Sequence, residues 1–246
     1  ETVTSSDGSM PLLAPMSTIA GQLAFVVGSY HLLKHNNGKG VMIGQMDNMD
    51  PRVVTVIGAG VSGTQSILKA IDNNALVKVV DSSQSKLDEL KLQHGTKNVE
   101  YILSTKDSIQ SSINDSDLVI GSVYVVGKEA PKVITREMLS SMNPGTVMVD
   151  VSIDQGGCFE TSKPTTHDNP TFLENEIVHY CVTNMPGAVP LTATEALNKV
   201  TLSYIEYIAN NGVSNALDSD EHLMNGLNIK DGIIIHPAVK EALSRL

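Results

Sequence analysis

Short apolar runs alternate with longer stretches of helical periodicity along the middle of the chain. Residues 53–57, 76–80, 99–103, 118–123, 146–151 and 177–182 are brief runs rich in β-branched residues. Between them, 61–73, 84–93, 108–113 and 136–141 carry apolar residues at the three- and four-residue spacing of helices. Runs such as VVTVI and TVMVDV are continuous rather than alternating, the pattern of strands covered on both faces. Strand and helix in alternation predict an α/β fold, a Rossmann-type doubly wound parallel sheet with helices on both sides.

Two longer helices bracket this unit. The first is predicted over 17–35, with Ser17 as N-cap, a stripe of Ile19, Leu23, Val26, Val27 and Tyr30, and a stop at Asn36-Asn37-Gly38. The second starts near Thr192, where Thr192-x-x-Glu195 reads as a capping box. Its stripe is Leu197, Val200, Tyr204, Ile205 and Ile208, and Asn210-Asn211-Gly212 ends it. The opening segment reads as loop. The tail carries a short helix near 219–224, a strand at 233–235 and a helix after Pro237. The expected division is 1–16 and 191–246 as remnants of a second α/β domain, the latter including the return helix, with the dinucleotide-type unit and its linking helix at 17–190.

Composition narrows the class. With 246 residues, 41% hydrophobic and 18% charged, the chain can bury a real core. A net charge of −10 without a basic cluster argues against nucleic acid and anionic membranes as partners. No apolar run approaches the ~18 residues of a transmembrane helix. Cys158 and Cys181 are too few for a disulfide scaffold or a cysteine-rich zinc site. They read as small buried hydrophobes, and the ten methionines as core filler, with no metal site expected. No signal peptide opens the chain, so a cytoplasmic location is expected. The first residue is Glu1, and a processed or truncated chain is expected.

The strongest chemical signal is Gly58-Ala59-Gly60-Val61-Ser62-Gly63. G-x-G-x-x-G alone is weak. Here it follows a strand, opens a helix, lies in a βαβ unit, and has Asp81 at the end of the next strand, eighteen residues past Gly63. Gly58 permits the tight turn, Gly60 lets the backbone approach a pyrophosphate, and Gly63 lets helix and strand pack closely. The pyrophosphate would rest on the helix N-terminus, where free N–H groups favour negative charge. Asp81 would accept the ribose hydroxyls and repel a 2′-phosphate, which favours NAD over NADP. The competing reading is a glycine turn with no ligand, which leaves the complete context unexplained.

Other candidates carry less. Gly121…Gly127-Lys128 looks like a P-loop, but has five intervening residues and Glu129 in place of Ser or Thr. Asn114-Asp115-Ser116 is a glycosylation sequon by letter only. His167, beside Asp168, reads as a surface residue. Asp154 in Val149–Gly157 follows a strand end, where doubly wound folds bind ligands. It stands equally well as an acid near a nicotinamide or as the cap of the Gly156-Gly157 turn.

At this point the residues resemble a known family. Pro11–Ser17, Val149–Gly157, Pro164–Thr171 and Asn184–Pro190 resemble bacterial alanine dehydrogenase, in order and over nearly the whole chain. IDQGG and NMPGAVP make the likeness specific. The related transhydrogenase α chain is a poorer match over 164–190.

The resemblance implies NAD-dependent, reversible oxidative deamination of L-alanine to pyruvate and ammonia, by a homo-hexamer. It puts cofactor contacts on Ser17, Gly58, Gly60, Val61, Ser62, Gly63, Asp81, Lys86, Ser104, Val123, Tyr124, Ile153, Asp154, Asn184 and Met185. Asp154 matches the catalytic aspartate. The family's substrate-gripping arginine and lysine and its acid/base histidine all precede the position matching Glu1. The expected partners therefore include a companion N-terminal polypeptide. Leu191 stands where many members have a basic or polar residue. Two alternatives follow: a non-catalytic NAD-binding fragment of a split or truncated gene, and a transhydrogenase-type NAD(H) component.

Overall fold

The apolar runs become strands of one sheet in the computed structural model, which describes residues 2–44, 46–124 and 129–244. They are β1 (Val53–Ile57), β2 (Leu76–Asp81), β3 (Val99–Leu103), β4 (Leu118–Gly121), β5 (Val147–Asp150) and, after one further strand that is not among the predicted runs, β6 (Thr171–Glu174), β7 (Ile177–Tyr180). Their spatial order is β3-β2-β1-β4-β5-β7-β6. Every pair is parallel except β6 with β7. Helices α1 (Ala14–His31), α2 (Val61–Asp72), α3 (Gln84–His94) and α4 (Lys106–Ile113) accompany them. Only a 3-10 turn, Glu137–Ser141, lies in the stretch predicted as a helix at 136–141.

Two-sided burial explains the continuous apolar pattern. Val54, Val56, Leu118, Ile120, Val147 and Val149 point into one core with Phe25 and Ile67. Ile57, Val119 and Met148 point into the other with Ile113, Met138 and Phe159. Successive strand residues alternate between the faces, so both must be apolar. The strand order reverses between β1 and β4, which opens a crevice at the carboxyl ends of those strands. The architecture is Rossmann-like.

The first long helix differs from its prediction in start and in face. It begins at Ala14, with Pro15 in the first turn, where a missing N–H breaks no bond. Ser17 is not its N-cap; its N–H bonds to Leu13 O inside the helix. The buried face is Ile19, Ala20, Gly21, Ala24, Phe25, Gly28 and His31, with Leu23 and Val27 of the predicted stripe partly buried against it, while Val26 and Tyr30 of that stripe are exposed. Close approach decides this. A Cβ on Gly21 would stand 2.0 Å from Ser62 O, and one on Gly28 2.5 Å from the Leu118 side chain.

The predicted parallel sheet carries one added edge strand, β6, antiparallel to β7. Asn175 and Glu176 join them, both at positive φ of 50° and 59°, the geometry of a tight hairpin turn. The non-glycine Glu176 hid that turn from the sequence. Likewise β4 stops at Gly121, two residues short of its predicted end.

The chain divides into two units, Thr18–Ala188 and Glu1–Ser17 with Val189–Leu246. The second holds α5 (Pro190–Asn211), α6 (Val213–Ser219), α7 (Glu221–Asn225), a two-stranded ribbon of β8 (Ile229–Lys230) and β9 (Ile233–Ile234), and α8 (Pro237–Leu243). Pro190 rather than Thr192 opens α5, since its fixed φ suits the first helical position. None of the α5 residues is fully buried; of the predicted stripe, Val200, Tyr204 and Ile208 are half-buried and Leu197 and Ile205 exposed. Asp220 caps α7, accepting from His222 N and Leu223 N, and the Asn225 side chain ties the opening segment at Thr4 O.

Candidate functional site

The bend after β1 is built by sterics. Gly58 has φ of +92°, and its N–H bonds to Val80 O at 2.8 Å. A Cβ there would lie 2.4 Å from Ser122 O. A Cβ on Gly63 would lie 1.8 Å from Gly58 O and 2.5 Å from Ser122 Oγ. Ser122 Oγ also donates to Gly58 O, tying the end of β4 to the bend. Gly60 differs: its φ is −68°, and a Cβ would meet nothing within 4 Å. The chain's own packing demands Gly58 and Gly63 but not Gly60. Gly60 is the N-cap of α2, followed by Val61 and Ser62, so the free N–H groups of that helix start open there.

Asp81 ends β2 beside the bend. Its Oδ2 accepts from Ala59 N at 2.6 Å and its Oδ1 from Ser83 N at 2.8 Å. Ser83 in turn caps α3, accepting from Lys86 N. Ser104 N donates to Asp81 O, which places Ser104 at the same edge. The Lys86 ammonium lies 3.5 Å from Glu89 and is partly exposed. Across the crevice, Val123 packs on the second core and its carbonyl accepts from Ser152 Oγ. Tyr124 is exposed beside it. Gly127 and Lys128 of the rejected P-loop likeness lie outside the described residues.

The loop after β5 carries the acid. Ile153, buried, opens a 3-10 turn Ile153–Gln155, which Gly156 and Gly157 close at positive φ of 86° and 78°. Asp154 projects from this turn and is exposed. Its Oδ2 accepts from Asn184 N at 3.4 Å, on the segment that follows β7. Asn184 itself sits at φ of +52°, and its carbonyl meets His167 Nε2 at 3.2 Å. His167 is exposed, yet it and Asp154 both meet Asn184, which sequence spacing did not show. Met185 is buried, so its side chain belongs to the core. Ser17 falls in the other unit of the chain.

The acid that holds the Gly156-Gly157 turn is Asp150, not Asp154. Asp150 is completely buried and accepts from Ser152 N and from Cys158 N. Burial pushes its carboxyl up, while bonds from Ser162, Cys158 and Phe159 work against that rise. Burial first, and then the charge of Asp150, holds the Cys158 thiol well above its ordinary value. Burial and Asp150 also push Cys181 up to about 12. Both thiols are therefore protonated at neutral pH and are poor nucleophiles. Among the described residues, no group of three or more His, Cys, Asp or Glu side chains clusters to hold a metal. No helix of the described residues is long and apolar enough to cross a membrane.

Comparison with known proteins gives the site a family. Residues 24–237 match the family described as alanine dehydrogenase/PNT, C-terminal domain. The chain is 47% identical to alanine dehydrogenase of Halomonas elongata, over 98% of this chain and 65% of that protein. It therefore spans about 65% of the length of that curated relative. A solved L-alanine dehydrogenase structure matches with a TM-score of 0.95 at 40% identity, covering 100% of this chain and 67% of its own. A transhydrogenase from Sinorhizobium meliloti shares the fold, with a TM-score of 0.75 at 22% identity over 91% of this chain and 63% of its own. On the extent of the family match, the chain belongs to the alanine dehydrogenase/PNT C-terminal domain family.

Proposed function

We propose that this chain supplies the cofactor-binding part of an alanine dehydrogenase, which converts L-alanine reversibly to pyruvate and ammonia with NAD. The observation that carries the reading is the bend at Gly58–Gly63. Two of its glycines are required by the chain itself, and the third leaves a cradle that a side chain would narrow. A group from outside the chain, approaching the α2 N-terminus, explains a glycine at that point. The residues present fit a dinucleotide: N–H groups of Val61 and Ser62 for the pyrophosphate, and Asp81 for the adenosine ribose. Asp81 also favours NAD, because a 2′-phosphate would meet its carboxylate. When bound, the nicotinamide supplies the hydride acceptor.

The chain's own residues do the rest. Ser104, Lys86, Val123 and Tyr124 line the nucleotide's path along the carboxyl ends of the strands. Ile153, Asn184 and Met185 shape the far end. Asp154, exposed beside Asn184, acts on the substrate there and orients it by charge and hydrogen bonding. The relatives' greater length supports a working protein with further substrate-binding residues, in a homo-hexamer or with a companion polypeptide.

The test is calorimetry with NAD and NADP, joined to a turnover assay with millimolar L-alanine at alkaline pH, with and without the relatives' N-terminal portion. NAD binding by this chain and NADH formation with the added portion are expected. Absence of binding to either nucleotide overturns the cofactor reading. Binding without turnover in any combination overturns the alanine reading and leaves a non-catalytic NAD-binding module.

A further inference from the structure

Asp150 is the last residue of β5, and its side chain turns into the loop that follows. Every contact it makes is with a donor. Oδ1 accepts from Ser152 N at 3.0 Å and from Cys158 Sγ at 3.4 Å. Oδ2 accepts from Cys158 N at 2.8 Å, from Phe159 N at 3.4 Å and from the Ser162 hydroxyl. These donors stand on both sides of the turn at 153–157, so one carboxylate pins its entry and its exit together. Gly157 completes the fit: a Cβ there would lie 2.7 Å from Asp150 Oδ2 and 2.8 Å from Ser162 Cβ. From the outer side, the Lys132 ammonium donates to Gly156 O and Gly157 O, and Ala130 N to Gln155 O. The second residue of the turn so held is Asp154.

A carboxylate is the one side-chain group that can serve this arrangement. Ionised, it offers about four lone-pair directions and no hydrogen. An asparagine of the same shape would aim an NH2 group at one of the two donor sets. Its hydrogens would meet N–H groups, and the exit or the entry of the turn would come loose.

We propose that Asp150 is the positioning residue of the site, fixing the turn that places Asp154 against Asn184. This rests on the reading that Asp154 works on the substrate. Orientation is worth much in such sites, and a misplacement of roughly 1 Å can cost about a hundredfold in rate.

The test uses Asp150→Asn, Asp154→Asn and the double variant in the turnover-competent protein, with amide exchange at Ser152 and Cys158 measured alongside. Asp150→Asn is expected to lower kcat by about tenfold to a hundredfold, to leave KM for NAD within about twofold, and to speed exchange at both amides. In the Asp154→Asn background it is expected to cost little more, because the two act as one unit. Ser162→Ala, which removes a single donor, shows the same pattern at smaller size and serves if Asp150→Asn fails to fold. Multiplication of the two effects in the double variant, or an equal loss of kcat and NAD affinity, overturns the proposal. Unchanged exchange at Ser152 and Cys158 overturns it as well. If Asp154→Asn alone leaves kcat intact, the functional reading of Asp154 fails, while the exchange data still decide whether Asp150 holds the turn.

Discussion

The two halves of the sheet's carboxyl edge are held by different physics. On the β1–β2 side, the bend at Gly58–Gly63 is shaped by what cannot fit: a Cβ at Gly58 or Gly63 would collide with main-chain oxygen. On the β5–β7 side, the loop that carries Asp154 is shaped by what must be satisfied, a buried carboxylate with five donors around it. Steric constraint acts through residue type at fixed spacing, and any glycine pattern displays it. Polar satisfaction here depends on which of two nearby acids is buried, and no short motif displays that. The bend on the first side thus admits no added bulk at Gly58 or Gly63, while the loop on the second depends above all on one buried carboxylate, with Gly157 fitted closely against it.

The largest expected effect lies on the second side. Asp154→Asn, which keeps shape and removes charge, is expected to lower kcat by about a hundredfold to ten-thousandfold, with NAD affinity within about twofold. Steady-state kinetics beside calorimetry checks it. Equal loss of both would mean that the acid is structural. Next in size is Gly63→Ala on the first side, which adds no charge and one methyl. A Cβ 1.8 Å from a carbonyl oxygen forces α2 away from the bend, at a cost of about 3 kcal/mol. Gly60→Ala is the control, since its methyl meets only open space. Its stability is expected to fall by no more than about 1 kcal/mol, the scale of a weakened N-cap, while NAD affinity falls. Denaturant melts of the two variants separate packing from ligand approach. A Gly60→Ala protein that binds NAD as well as the parent does would show that the cradle is not used.

What could be read from the sequence follows the same division. The strands β1, β2 and β3, the bend and Asp81 stood out because period, glycine spacing and one acid at a strand end are local signals. The buried face of α1 was read correctly at Ile19, Leu23 and Val27 but not at Val26 and Tyr30, because Gly21 and Gly28, poor in hydrophobicity, pack more closely than those two can. The β6–β7 hairpin was missed because Glu176, a residue that ordinarily avoids positive φ, occupies its turn. Asp150 drew no attention beside Asp154 because both are acids in one nine-residue stretch, and only burial tells them apart. His167 reached Asn184 through the fold, seventeen residues away in sequence.

Asp81 joins the two kinds of constraint, and its removal is expected to have an intermediate effect. Its carboxylate braces Ala59 N within the chain and is the group assigned to the ribose. Asp81→Ala is expected to weaken NAD binding by about tenfold or more, the scale of a lost charged hydrogen bond. NADP binding should weaken less, so that the preference narrows. Calorimetric titration with each nucleotide measures both. An unchanged preference would place the ribose elsewhere.

The smallest effect concerns the edge of the second side. His179 on β7 is buried, its Nε2 meets Thr161 Oγ1 at 2.8 Å, and its Nδ1 meets Ile177 O at 3.1 Å. Its ring stacks on Phe172 at 5.0 Å. The bonds assign the neutral tautomer, with Nδ1 donating to the carbonyl and Nε2 accepting from the hydroxyl. Burial holds its pKa below the ordinary 6.5; Ile177 O and Glu174 oppose that depression, and Lys163 and Arg136 add to it. His31, buried on α1, is depressed by burial in the same way. A histidine that is harder to protonate when folded gives the unfolded chain the greater proton uptake. Stability from these groups is therefore present above about pH 6.5 and is lost as the pH falls from there toward the depressed folded values. Thermal melts between pH 8 and pH 5 are expected to show a decline that begins near 6.5, with His179→Gln flattening part of it and leaving the His31 share. Parent and variant curves that stay parallel across that window would mean that His179 carries its proton alike in both states.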